Sequence, residues 1–244
     1  LVAKKAYLEP VYDLSTIRLT DLQGIDRQKQ EITRNTAQFV AGKPANNVLL
    51  TGARGTGKSS LVKALLNEFV DQGLRVIEVD RDLLVDLPDI LQLISHRPER
   101  FIIYCDDLSF TADDASYRAL KTILDGSLHA GSDNVVVYAT SNRRHLLPEY
   151  MSDNLQTSIG NDGELHPSEA IEDKISLSDR FGMWLSFYPM SQEIYLDIVQ
   201  HWLQTYQLSL TNEARTAALQ WALGRGNRSG RSAAQFAKDW AGRV

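Results

Sequence analysis

The stretch Val48-Leu-Leu-Thr-Gly52-Ala-Arg-Gly-Thr-Gly57-Lys58-Ser59 decides the fold of this chain. A short apolar run precedes a complete G-x-x-x-x-G-K-[ST] loop, and an amphipathic helical pattern follows Lys58. The glycines let successive backbone N–H groups surround phosphates, Lys58 reaches the β- and γ-phosphates, and the Ser59 hydroxyl ligates Mg²⁺. This context favours a nucleotide-binding loop over the alternative, a glycine-rich turn with a surface lysine.

Strand and helix patterns alternate on both sides of this loop. Apolar runs predict further strands at 76–79, 101–105, 135–139 and 183–188, and helical spacing predicts helices at 22–40, 83–95 and 115–128. Near-continuously apolar strands separated by helices indicate a parallel sheet that is covered on both faces. The prediction is therefore an α/β fold, an αβα sandwich with a five-stranded parallel sheet.

The pattern changes after Pro189, where strands stop and three helices are predicted at 192–206, 212–223 and 232–240. We therefore predict an N-terminal extension over 1–20, a nucleotide-binding core over 21–189 and a small helical subdomain over 190–244. Residues 149–178 carry seven acidic residues against one lysine and are predicted to form an exposed insertion loop within the core.

Polar side chains follow two of the predicted strands. Asp106 and Asp107 come directly after residues 101–105, and Asn142 follows 135–139. Beside a phosphate loop, we expect Asp106 to reach the Mg²⁺ shell and Asp107 to orient or activate the attacking water. We expect Asn142 to hydrogen-bond the γ-phosphate or that water. Without the loop, the Asp pair would indicate helix capping or a turn, and Asn142 a turn residue.

These blocks in this order, followed by Leu177-Ser-Asp-Arg180-Phe181 and a helical tail, resemble an AAA+ ATPase over about residues 20–244. The resemblance implies that the loop is Walker A, that the Asp pair ends Walker B, and that Asn142 is sensor 1. It makes Arg180 similar to the arginine finger that acts on a neighbouring subunit's nucleotide. Arg231 resembles sensor 2, with Arg228 as the alternative, and a solvated basic face is the simpler interpretation of both. The implied nucleotide contacts are Gly24 and Ile25 near the adenine, and Gly52, Ala53, Arg54, Gly55, Thr56, Gly57, Lys58, Ser59 and Ser60.

The resemblance also implies a function, the hydrolysis of ATP with Mg²⁺ coupled to conformational change or to remodelling of a partner. It implies a homo-oligomer, of which a hexameric ring is one form, and an unknown protein partner. Most AAA+ Walker B strands end Asp-Glu, so Asp107 suggests slow turnover. The alternative is a slow nucleotide-gated switch or loader that binds a protein or DNA partner. At finer grain, Pro44–Leu50, Asp106–Phe110 and residues 140–148 resemble a bacterial group, domain-of-unknown-function family 815, described as predicted AAA+ ATPases.

Composition excludes several other classes of protein. The chain has 244 residues, a formal net charge of −5 and one cysteine, Cys105. We therefore expect no internal disulfide, no membrane association and a cytoplasmic location. Nucleic-acid binding has only weak support, from the Asp pair and a basic tail. The five histidines lack metal-ligand spacing, Cys105 is predicted to be a buried apolar residue, and the four tryptophans are predicted to lie in the core.

Overall fold

The computed structural model describes residues 8–12, 14–110, 114–125, 133–142, 158–159, 165–166 and 177–243. The helices that we label are α1 (Asp26–Val40), α2 (Lys58–Phe69), α3 (Leu87–Ile94), α4 (Ala115–Leu124), α5 (Gln192–Thr205), α6 (Asn212–Gly224) and α7 (Gly230–Ala241). The strands are β1 (Val48–Gly52), β2 (Leu74–Glu78), β3 (Arg100–Cys105), β4 (Val135–Ser141), β5 (Ser158–Ile159), β6 (Leu165–His166) and β7 (Met183–Phe187).

Five strands form one parallel sheet in the order β2-β3-β4-β1-β7. Successive residues of β3 point to opposite faces of the sheet, and both faces are buried. Ile103 and Cys105 pack in a cluster with α3 and α4, whereas Ile102 and Tyr104 pack in a cluster with α1 and α2. The predicted αβα sandwich is confirmed.

Helices α5, α6 and α7 enclose a third apolar cluster, which is built around Tyr195, Leu203 and Phe236. Three hydroxyl side chains cap these helices by accepting hydrogen bonds from backbone N–H groups. The caps are Ser191 for α5, Thr211 for α6 and Ser229 for α7. The caps and the cluster together make these helices a compact subdomain, which we call the lid.

Several element boundaries differ from those predicted. Helix α1 starts at Asp26 rather than at 22, because Gly24 has a φ of 74° and a right-handed helix cannot include a residue in that conformation. The predicted helix over 83–95 is a 3-10 segment, Arg81–Asp86, followed by α3, which has Pro88 in its first turn. Strand β2 begins two residues earlier than predicted, at Leu74. Helix α4 ends at Leu124, and the predicted continuation to 128 enters residues 126–132, outside the described residues.

Most of the predicted insertion, 149–178, lies outside the described residues. So do residues 143–148, which belong to the stretch 140–148 that carries part of the family resemblance. Within the insertion, β5 and β6 pair in an antiparallel arrangement. The insertion loop stays a prediction. Among the described residues, no helix combines the length and apolarity needed to cross a bilayer.

Candidate nucleotide-binding site

A cleft of about 550 Å³ lies at the carboxyl ends of β1, β3 and β4 and is closed on its other side by the lid. Parallel α/β sheets characteristically bind ligands at this edge. The lining includes most of the predicted site residues, namely Ile25, Arg54, Gly55, Thr56, Gly57, Lys58, Ser59, Ser60, Asp106, Asp107, Asn142 and Arg231. Gly24, Gly52, Ala53, Arg180 and Arg228 are not among the lining residues.

Lys58 is the first residue of α2 and is almost fully buried, with 6% of its surface exposed. Its ammonium group donates to the carbonyl oxygens of Gly52 (2.7 Å) and Ala53 (2.8 Å) and to Oδ1 of Asn142 (3.0 Å). Burial lowers its pKa, although Asp107 and Asp106 act in the opposite direction. The preceding Gly57 has a φ of 100°, a conformation that lets the loop turn directly into the helix. A buried cation therefore stands at the N-terminus of α2, where an anion is favoured.

Asp106 is the most heavily hydrogen-bonded carboxylate of the cleft. Its Oδ1 accepts from the hydroxyls of Ser59 (2.8 Å), Tyr104 (2.7 Å) and Thr140 (2.5 Å). Burial opposes its ionisation, but the hydrogen bonds from Thr140, Tyr104 and Ser59 outweigh burial and lower its pKa. Burial also raises the pKa of Tyr104, which keeps that hydroxyl protonated as a donor. The carboxylate is therefore ionised and held beside Ser59.

Asp107 has a φ of 50°, in the left-handed region that side chains other than glycine seldom adopt. Its backbone N–H donates to Oγ1 of Thr140 at 2.9 Å, which supports this conformation. The amide of Asn142 donates to Oδ1 of Asp107, and Nη2 of Arg54 lies 3.7 Å from Oδ2. A continuous polar chain therefore runs from Lys58 through Asn142 and Asp107 to Arg54.

The lid contacts the phosphate-binding loop directly. The backbone N–H of Gly230 donates to the carbonyl of Gly55 at 3.0 Å, and a Cβ on Gly55 would lie 2.5 Å from Cβ of Ser229. Arg231 follows in the first turn of α7 and lines the cleft, whereas Arg228 precedes the helix and does not. Of the two sensor 2 candidates, only Arg231 is therefore at the cleft.

The cleft also has apolar lining residues, which come from the segment before α1, from the segment after β7 and from the lid. They are Ile17, Leu22, Ile25, Met190, Ile198 and Trp202, and Asp21 and Gln23 line the cleft with them. Gly24 fits under the lid, because a Cβ at this position would lie 2.5 Å from Cγ2 of Ile194. Nε2 of His201 lies 3.1 Å from Oδ1 of Asp21 and links α5 to the segment before α1. An aromatic ring and aliphatic side chains thus supply an apolar surface that suits a flat base.

Some sequence expectations need correction. Trp184 lies on the edge strand β7 with 38% of its surface exposed, so the prediction that all four tryptophans are core is wrong for it. Trp202 packs against the lid cluster, as Trp221 and Trp240 do, and also lines the cleft. Cys105 is fully buried, as predicted, and burial raises its pKa to about 12. Arg180 follows a helical turn at 177–179, and its guanidinium pairs with Asp125.

The site also contains residues that the sequence did not single out. Thr140 and Tyr104 fix the Asp pair, and Ile17 brings the predicted N-terminal extension into the cleft. Thr140 lies near the carboxyl end of the apolar strand β4, two residues before Asn142, and this position is a signal that could have identified it. Tyr104 lies within an apolar strand and could not be distinguished from a core residue by sequence.

The donors of the cleft fit MgATP. Mg²⁺ takes oxygen ligands and is typically held by one or two protein groups together with substrate phosphates. The Ser59 hydroxyl and the Asp106 carboxylate supply such oxygens at the mouth of the loop. Among the described residues, no group of three or more His, Cys, Asp or Glu side chains forms a self-sufficient metal site. A metal held mainly by these two groups and by phosphates agrees with both observations.

Solved structures with a similar fold include Thermotoga maritima RuvB, the Holliday junction branch migration motor, with a TM-score of 0.56 and 17% identity over 91% of this chain and 63% of that chain. Aeropyrum pernix ORC1 in complex with DNA gives a TM-score of 0.58 and 14% identity over 87% of this chain and 58% of that chain. The E. coli MS115-1 HORMA:CdnC:Trip13 complex gives a TM-score of 0.57 and 13% identity over 91% of this chain and 90% of that chain. This chain therefore spans less than two thirds of the RuvB and ORC1 chains.

These likenesses and the sheet order define the class of fold, an αβα sandwich of the AAA+ type. The model of the family described as Protein of unknown function (DUF815) matches residues 2–244, and the chain belongs to that family. No curated protein sequence matches this chain at a significant level.

Proposed function

We propose that this protein binds MgATP in the cleft and hydrolyses the bond between the β- and γ-phosphates. The observation that carries the proposal is the Asp106 carboxylate, which is ionised, accepts three hydrogen bonds and lies 2.8 Å from the hydroxyl of Ser59 on the phosphate loop. Such a pair is suited to Mg²⁺, which neutralises phosphate charge when bound. The fold likeness supports nucleotide binding, and the finer assignment of hydrolysis is our proposal.

In this proposal each cleft residue has one task. Lys58 and the backbone N–H groups of the loop hold the β- and γ-phosphates, and Ser59 with Asp106 orients the metal. Asp107 accepts a proton from the attacking water, and Asn142, which contacts both Lys58 and Asp107, aligns that water. Arg231 approaches from the lid and offsets charge that develops on the phosphates.

Arg180 has a different task, as an arginine finger for the nucleotide of an adjacent subunit. It does not line the cleft of its own chain, and this supports a role in trans. An arginine supplied by a neighbouring subunit is worth roughly 10³–10⁵ in rate in other nucleotide hydrolases. Activity should therefore depend on assembly into a homo-oligomer.

The test is ATP hydrolysis as a function of protein concentration, with Asp107→Asn and Arg180→Ala as variants. We expect specific activity to rise with concentration and to be lost in both variants, while equilibrium binding of MgATP persists. Lys58→Ala should abolish binding as well. If Arg180→Ala keeps full activity at concentrations where the oligomer forms, the finger assignment is wrong. If the wild-type chain binds no MgATP, the proposed function as a whole is wrong.

The contacts of Asp107 also favour one alternative, a slow nucleotide-gated switch that loads or holds a partner. Asp107 is one methylene shorter than glutamate, and its carboxylate is engaged by both Asn142 and Arg54. Tight MgATP binding with turnover that rises only when a protein or DNA partner is added would favour this alternative. The similar structures include complexes of both kinds, ORC1 with DNA and Trip13 with a HORMA protein.

A further inference from the structure

Arg54 has an unusual environment for a residue of the phosphate-binding loop. Its side chain is 81% exposed and lines the cleft, so no packing fixes it. Its guanidinium nevertheless faces Asp107, with Nη2 3.7 Å from Oδ2. At this distance the contact is an ion pair without a hydrogen bond, and an exposed pair of this kind is weak. Arg54 can therefore leave Asp107 at little cost.

The other oxygen of Asp107 belongs to the same polar chain. Oδ1 accepts from Asn142, whose own oxygen accepts from Lys58. The two cations of the loop, Arg54 and Lys58, thus stand at the two ends of one chain that has the Asp107 carboxylate within it. Burial is the main cause of the lowered pKa of Lys58, and the charge of Arg54 adds to it, so the two cations act on the same small volume. A phosphate group that enters between them competes with Asp107 for Arg54.

We propose that Arg54 is a positioning residue that exchanges the Asp107 carboxylate for the terminal phosphate of ATP. With the terminal phosphate bound, the guanidinium pairs with that phosphate, and Oδ2 of Asp107 is released toward the attacking water. With ADP, no phosphate reaches the guanidinium, and the ion pair with Asp107 persists. Arg54 therefore couples the position of the water-activating carboxylate to the number of phosphates. This inference rests on the proposed function.

Charge and geometry favour Arg54 over the other cations of the cleft for this exchange. Lys58 is buried and already donates to two backbone carbonyls of the loop, and Arg231 reaches the cleft from the lid. The side chain of Arg54 is long and exposed, while its backbone is part of the phosphate-binding loop. Its planar guanidinium is also matched to carboxylate and phosphate oxygens alike.

The experiment measures equilibrium dissociation constants of Mg·AMP-PNP and Mg·ADP by calorimetry for the whole chain. Arg54→Gln should weaken Mg·AMP-PNP binding by about tenfold and change Mg·ADP binding by less than about twofold. Arg54→Lys should recover part of the loss. Arg97→Gln is the matched control, because Arg97 is also exposed and paired with a carboxylate, Glu99, but at the opposite end of β3.

A double-mutant cycle with Asp107→Asn tests the exchange itself. Removing the carboxylate frees Arg54 for the phosphate. In the protein that keeps Arg54, Asp107→Asn should therefore strengthen Mg·AMP-PNP binding by up to about fivefold. The same change should give a smaller gain when it is combined with Arg54→Gln. Asp107→Asn also removes the charge repulsion between Asp107 and the phosphates. This effect on affinity is the same whether residue 54 is arginine or glutamine, so it cancels in the cycle.

Three results would overturn the inference. The first is an equal loss of both nucleotides in Arg54→Gln, which indicates damage to the loop. The second is an equal gain from Asp107→Asn in both backgrounds, which indicates that Arg54 and Asp107 act independently. Either of these leaves the proposed function intact. The third, wild-type protein that binds neither nucleotide, overturns the proposed function and the inference together.

Discussion

The contact between Gly55 and Ser229, where the phosphate loop meets the lid, gives a sharp test through Gly55→Ala. Gly55 has a φ of 74°, and its added Cβ would lie 2.5 Å from Cβ and 3.0 Å from Oγ of Ser229. An alanine in the left-handed region costs roughly 1–2 kcal/mol. Overpacking adds about 1–3 kcal/mol, including loss of the hydrogen bond from Gly230 to Gly55. We expect Gly55→Ala to lower the free energy of unfolding by about 2–5 kcal/mol.

Gly226→Ala is the matched control for this prediction. Gly226 has a φ of 69°, and its added Cβ would meet nothing within 4 Å. Gly226→Ala should therefore lower the free energy of unfolding only by the cost of a left-handed alanine, about 1–2 kcal/mol. Urea denaturation followed by circular dichroism gives both values. The difference between the two variants, about 1–3 kcal/mol, measures the contact between loop and lid.

Ser229→Gly in the Gly55→Ala background completes the test. It removes the Cβ that the new methyl group meets, and glycine at a helix N-cap costs only a few tenths of a kcal/mol relative to serine. The double variant should therefore approach the stability of Gly226→Ala. If Gly55→Ala is no less stable than Gly226→Ala, or if Ser229→Gly gives no rescue, the lid does not rest on the loop in the way that the structure describes.

Three further predictions concern single side chains. Tyr138→Phe should lower the free energy of unfolding by about 1–3 kcal/mol in urea denaturation, because the buried hydroxyl contacts two side chains of α1 at 2.9 and 3.0 Å that would lose a partner. Asp106→Asn should make that free energy less dependent on pH below about 4, the ordinary value for Asp. The pKa of Asp106 is lowered in the folded state, so its ionisation stabilises the fold above that range, and the contribution is lost as the pH falls through the folded pKa. Arg231→Ala should weaken MgATP binding in calorimetry, whereas Arg228→Ala, which lies outside the cleft lining, should leave it unchanged.

Much of the fold could be predicted from local patterns. The loop from Gly52 to Ser59 and the alternation of apolar strands with amphipathic helices indicated a parallel sheet covered on both faces, because such strands must be buried on both sides. Boundaries were less accurate where one residue changes the backbone. Gly24 delays α1, and Pro88 marks the start of α3 after a 3-10 segment.

The sequence by itself determined which polar groups the cleft contains, since the glycines, Lys58 and Ser59 are neighbours along the chain and directly follow β1. The Asp pair follows β3, which β4 separates from β1, and parallel strands end at the same edge of the sheet. Only the tertiary structure decided which arginine meets which group. Arg54 faces Asp107, Arg231 reaches the cleft, and Arg180 pairs with Asp125, although all three belong to polar stretches of similar appearance. The physical reason is that exposed charged residues follow no periodic pattern along the sequence from which the direction of their side chains could be predicted. Their partners are set by how helices and loops distant in sequence pack together.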